Sequence, residues 1–147
     1  MIRKLIIDLT DDRFKIPANE AVLDFVCRGN SSAHSDVGSL LFDLAKVIPG
    51  AHAYCPLVSS FTYVVLHTDA DRIYAIAFGM RGLAFRLAPS AYDAALADGA
   101  RPADQIGAGW VEFDPFERCS TPRAADWLRV WGERALAHAM ELDGGTS

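Results

Sequence analysis

The chain has 147 residues and a mass of 16.0 kDa; 51% of its residues are hydrophobic, 22% charged and 10% aromatic, which excludes a disordered tail, a collagenous repeat and a coiled coil. That length suits a single domain, 1–147, able to bury about 68–70% of its unfolded surface and to hold a core without disulfides or metal. Fourteen Lys and Arg against nineteen Asp and Glu leave a formal net charge of −5, so a broad phosphate-binding surface has to be assembled against the overall field.

At the amino end, residues 5–9 read as a short strand and Thr10-Asp11-Asp12-Arg13 as a polar turn. The same apolar run is cut by Asp8, too early for a secretory h-region or a membrane span, so the expected address is the cytoplasm. Over 18–28 the spacing of Ala21, Val22, Phe25 and Val26 makes one helix face, with Gly29 where a left-handed cap belongs. After a loop at 30–35, Ser35 is placed to cap a helix over 36–48, whose Leu40, Leu41, Leu44, Val47 and Ile48 form a stripe stopped by Pro49-Gly50. An extra strand is an option around 51–57.

The period then changes from 3.6 to 2. Residues 61–67, 72–78 and 83–87 are β-branched and aromatic runs separated by Thr68-Asp69-Ala70-Asp71 and Gly79-Met80-Arg81-Gly82. Connections this short join antiparallel neighbours, so the three runs form a meander. Pro89-Ser90 opens a short helix to 97, 101–109 is a loop, and 110–114 alternates as a strand until Pro115. The last helix starts with Thr121 as N-cap and Pro122 in the first turn, and carries Trp127, Leu128, Trp131, Ala135, Ala139 and Leu142 on one face. The expectation is an α+β domain, an antiparallel meander with helices on one side, in the order (β)ααβββαβα.

Few of these residues have the spacing that chemistry requires. The three cysteines, Cys27, Cys55 and Cys119, contain no C-x-x-C pair, and His34, His52, His67 and His138 sit at no chelating spacing, so neither a structural metal nor a cofactor is expected. His67 to Asp71 is the one His/carboxylate cluster, and a hairpin turn held by side chain to backbone hydrogen bonds explains it better than a metal or acid-base site. Cys55 has His52 three residues away, which on a strand points to the opposite face; a buried thiol is the simpler reading. No nucleophile elbow surrounds Ser59 and Ser60, and the glycines at 79, 82, 107 and 109 lack the rest of a phosphate loop.

Binding is better supported. In 83–87, Leu83, Phe85 and Leu87 share a face, as do Val111 and Phe113 in 110–114, and that face is core. The opposite face carries Arg86, Trp110 and Glu112 and, depending on register, Tyr63, His67 and Tyr74, a mixture suited to a ligand groove or a protein interface. A Trp110 pointing away from the core needs a cover. A second copy of the chain, pairing Arg86 with Glu112 across a twofold axis, is the expected cover; helices or the amino-terminal segment are the alternative. A nucleic-acid face is the alternative, through Arg118, Arg123, Arg129 and Arg134, although Asp126, Glu133 and Glu141 interleave with them.

The portion from about 40 to 138 resembles the YjbR/MmcQ-like family and, more distantly, the amino-terminal domain of the competence regulator TfoX. The residues that carry the likeness are Lys46-Val47-Ile48-Pro49-Gly50-Ala51, Arg72-Ile73-Tyr74-Ala75-Ile76-Ala77, Gly82-Leu83-Ala84-Phe85-Arg86-Leu87-Ala88-Pro89, and Gly109-Trp110-Val111-Glu112-Phe113 before a Trp-bearing helix. The resemblance implies an antiparallel sheet with helices, similar to type III secretion chaperones. Members are commonly labelled DNA-binding, and the resemblance carries over no catalytic residue. The first thirty-odd residues and the segment 54–60 depart from the family pattern.

The expected function is therefore that of a small cytoplasmic, non-enzymatic binding or regulatory domain whose protein or small-molecule ligand meets the sheet. Nucleic-acid binding is the second reading, and an unrecognised enzyme the third.

Overall fold

The computed structural model describes residues 8–29, 32–56, 62–118 and 124–144, with 117, 118, 124 and 125 as backbone only. In chain order, two 3-10 turns, Asp12–Phe14 and Pro17–Asn19, lead into α1 (Glu20–Cys27), followed by α2 (Ser35–Val47), β1 (His52–Tyr54), β2 (Val64–His67), β3 (Ile73–Phe78) and β4 (Gly82–Arg86). Then come α3 (Pro89–Ala97), β5 (Arg101–Pro102), β6 (Trp110–Phe113), α4 (Pro115–Arg118) and α5 (Ala124–Gly144). Every strand pairs antiparallel, in the spatial order β1-β2-β3-β4-β6-β5. The α+β architecture and the meander at its centre are those expected from the change of period.

Several boundaries differ, for local reasons. Of the expected strand at 5–9 only Asp8 and Leu9 are described, and they are helical. The imidazole of His34, and not the Ser35 hydroxyl, caps α2: its Nδ1 accepts the Asp36 N–H at 3.1 Å. Gly29 is left-handed (φ 103°), as the end of α1 requires. The optional strand near 51–57 exists as β1, on the sheet edge. Within the expected loop at 101–109, Arg101 and Pro102 pair with Glu112 and Val111 as β5. Pro115 ends β6 by opening α4, where its missing N–H costs nothing. The caps Thr121 and Pro122, with Cys119 and Arg123, lie outside the described residues.

Helices α2, α3 and α5 cover one face of the sheet, where Val64, Leu66, Leu83, Phe85, Val111 and Phe113 meet Val37, Leu41, Leu44, Leu128, Trp131 and Ala135. Trp131 is buried and Trp127 half-buried against the same core, while Leu142, expected on that face, is exposed. The last turn of α5 is held by polar contacts instead, Asp143 accepting from the Arg72 guanidinium and the Thr68 hydroxyl.

The second face is not open. Phe14, Val22, Leu23, Phe25 and Val26 of the amino-terminal segment lie on Tyr63, Val65, Ile73, Ile76, Ala84 and Trp110 in a second core. Helices thus sandwich the sheet, a correction to the one-sided arrangement. The physical reason is legible in β2, β3 and β4, whose inner residues are apolar on both faces and would leave a large wet patch if one were bare. Tyr54 and Tyr63 hydroxyls tie this segment down through the Asp11 N–H and the Thr10 hydroxyl.

Candidate functional site

Five residues were expected to share an interaction surface, and the fold separates them. Arg86 and Trp110 face each other directly across β4 and β6. Glu112 lies two residues along β6, where Gln105 and Arg101 hold its carboxylate at 2.8 and 3.4 Å. It is therefore engaged within its own chain and does not wait for Arg86 of a second copy.

Tyr74 departs further. A β-bulge sets Leu66 opposite Ala75 but His67 opposite Ile73, so Tyr74 drops out of the pairing and alternation fails there. Its ring is buried in the helix-covered core, with a hydroxyl that has no hydrogen-bond partner, and burial pushes its ionisation well above the usual tyrosine range. His67 is also buried, its Nδ1–H donating to the Thr68 carbonyl at 2.8 Å and its ring against Phe14. Burial lowers its affinity for a proton. Neither residue belongs to an exposed face.

The segment from His67 to Asp71 is a turn, as expected: Asp71 donates its N–H to the Thr68 carbonyl and takes a left-handed φ of 68°. Asp69 reaches back across the turn to exposed His52 at 2.5 Å. Cys55 lies away from that pair, its Sγ 3.5 Å from the Thr62 hydroxyl, so thiol and imidazole do not meet. Among the described residues no group of three or more His, Cys, Asp or Glu converges as a metal site would need, and no helix is long and apolar enough to cross a membrane.

Trp110 is 4% exposed and covered by its own chain, which corrects the expectation that it points outward. The cover is incomplete. Beside the indole, an open groove of about 590 Å³ runs between α1 and the end of the sheet, lined by Pro17, Ala18, Glu20, Ala21, Asp24, Arg72, Arg86, Gly107, Ala108 and Trp110. The indole N–H of Trp110 has no hydrogen-bond partner among the described residues. The two arginines come from the start of β3 and the end of β4, brought together by the antiparallel register.

Their electrostatics differ. Arg72 gives its Nε–H to Asp143 at 2.6 Å and so has its own counter-ion. Arg13, Arg28, Arg81, Arg101 and Arg129 likewise hold carboxylates, and Arg134 lies over the Trp131 ring at 4.8 Å. Among the described arginine side chains only the guanidinium of Arg86 has neither, although it is half-buried. Burial, and then the charge of Arg72, disfavour its cationic form; burial and the charges of Arg86 and Arg72 likewise hold His138 below the usual histidine range. Glu20 and Asp24 stand on the facing helix, Asp24 paired with Arg28 at 3.1 Å.

The alternative arginine face is different. Arg129 pairs with Glu133 and Arg134 stacks on Trp131, so both are engaged within α5, while Arg118 and Arg123 have no described side chain. Sequence reasoning named Arg86 and Trp110 but missed Arg72, Glu20 and Ala108, which reach the groove from distant segments. No family model, no curated protein and no solved structure matches the chain.

Proposed function

We propose that the protein is a small non-enzymatic binding or regulatory domain, working in the cytoplasm, that takes a metabolite-sized ligand into the groove between α1 and the paired residues Arg86 and Trp110. One observation carries this reading: a half-buried guanidinium and an indole N–H, both without partners among the described residues, stand side by side on the wall of a groove of about 590 Å³. That volume lies within the range of about 300–1,000 Å³ typical of small-molecule sites, and convergent polar groups are what such sites use to orient a ligand. The side chains best able to do covalent or acid-base chemistry are employed elsewhere: Cys55 against Thr62, His67 on its own turn, His52 on Asp69.

The test is a titration of the ¹⁵N-labelled chain with mixtures of small aromatic and aliphatic probes. Shifts should cluster on α1, Gly107 and the Trp110 indole. Shifts confined to other surfaces, or none at all, would remove the reading.

A further inference from the structure

We propose that this groove binds a compact anionic group, a carboxylate or phosphate monoester of a small molecule, with Arg86 as its counter-ion and the Trp110 indole N–H as second donor. The proposal rests on the reading of the groove as the ligand site and adds the ligand's chemistry.

The argument begins with an imbalance. A buried or half-buried charge without a partner is expensive, and folded chains normally supply one. Here every other described arginine side chain has its carboxylate or aromatic ring, while Arg86 is left alone beside the like charge of Arg72. Asp143 is already committed to Arg72 and Thr68, Glu112 to Arg101 and Gln105, and Asp24 to Arg28, while Glu20 on the facing wall forms no ion pair with Arg86. What would complete the site is an anion from outside.

Register then places the second donor. Arg86 and Trp110 are directly opposed on neighbouring strands, so their side chains rise together from one face, and an anion on the guanidinium lies beside the indole edge. A planar guanidinium suits the two oxygens of a carboxylate or phosphate, and an indole N–H can only donate. The facing wall limits size: Glu20 and Asp24 repel an extended polyanion laid along the groove. A nucleic-acid backbone therefore fits poorly where a single anionic group fits well.

The test titrates inorganic phosphate, and separately acetate, into the ¹⁵N-labelled full chain at constant ionic strength set with chloride, following the Trp110 indole resonance. Wild type should give a saturable shift, together with a melting temperature that rises with the anion. Arg86→Gln should weaken the response at least tenfold and, in chloride alone, should melt higher than wild type because it removes an uncompensated cation; Arg86→Lys should retain part of the binding. Comparison of the two titrations tells which anion is preferred. A shift that grows linearly without saturating, or an equal response in Arg86→Gln, overturns the proposal. If neutral aromatic probes move the Trp110 indole while phosphate and acetate do not, the anionic ligand is refuted and the groove remains; if nothing moves it, both fall.

Discussion

The side chain of Asn19, fully buried, accepts the backbone N–H of Ile73 at 2.8 Å, joining the amino-terminal segment to the first residue of β3. Its amide group donates to the carbonyls of Phe14 and Asp71, at 2.9 and 2.8 Å. One side chain thus satisfies three backbone groups from three segments. Each bond is worth about 1 kcal/mol net, and leaving buried partners unpaired costs more. Asn19→Ala should therefore destabilise the chain by about 2–4 kcal/mol in urea unfolding. Native-state hydrogen exchange should show the Ile73 amide losing protection first. A loss within the noise of a surface substitution would mean that water replaces the amide without penalty.

Protonation should act on the same region. His67 is pressed between the Phe14 ring at 4.8 Å and the His52 ring at 5.4 Å, with Asp71 3.8 Å from its Nδ1. Burial depresses its proton affinity from the ordinary value of 6.5, the Thr68 carbonyl and Asp71 opposing, the charges of Arg13 and His52 adding to the depression. An unfolded chain therefore takes up this proton at a pH where the folded chain does not. Stability from neutral His67 is complete above about pH 6.5 and is lost as pH falls from there through the lower folded value. His138 is depressed as well and adds in the same direction. The His67 ring resonances should titrate with a midpoint below 6.5. A midpoint at or above that value would contradict the burial argument.

What was readable in advance follows from how local each signal is. The core face of β4 and β6 was legible because Leu83, Phe85, Val111 and Phe113 alternate over a regular stretch, and the structure buries all four together. Tyr74 was not, because the bulge opposite His67 breaks the period at the residue being assigned, and a bulge leaves no mark in the order of letters. β5 was missed because two residues, one of them proline, carry no period at all. The groove was half visible: alternation put Arg86 beside Trp110, whereas Arg72, Glu20 and Ala108 reach it only after the amino-terminal segment has docked on the second face. That docking is a long-range event, resting on contacts such as Asn19 with Ile73.

The β3–β4 hairpin offers a steric test. Gly82 pairs with Phe78, and a Cβ placed on it would lie 2.6 Å from Phe78 Cε2 and 2.7 Å from the Phe78 carbonyl oxygen. A ring alone can swing aside, but the carbonyl belongs to the ladder and cannot, so the strand pair must distort. Gly82→Ala should cost about 1–3 kcal/mol, the range for overpacking. Met80, at the tip and 68% exposed, is the control, and Met80→Ala should fall within about 0.5 kcal/mol of wild type. Equal stability of the two variants in thermal unfolding would show that the hairpin absorbs the clash.

Trp110 decides whether the second face is closed by its own chain or by another. Its indole is packed with Ala84, Ala103, Ile106 and Val22 in the amino-terminal core, so removing it leaves a void inside one molecule. Trp110→Ala should accordingly destabilise by about 3–5 kcal/mol, the cost of truncating a buried aromatic. For the same reason the melting temperatures of wild type and variant should not vary with protein concentration through this residue, since folding and not association buries it. Had a second copy supplied the cover, the substitution would cause dissociation, with a wild-type melting temperature that climbs with concentration and a variant that has lost the dependence. Unfolding monitored across a wide range of concentration, with light scattering on the same samples, separates the two. A folded, fully stable monomeric variant replacing a concentration-dependent wild type would place Trp110 at an interface after all.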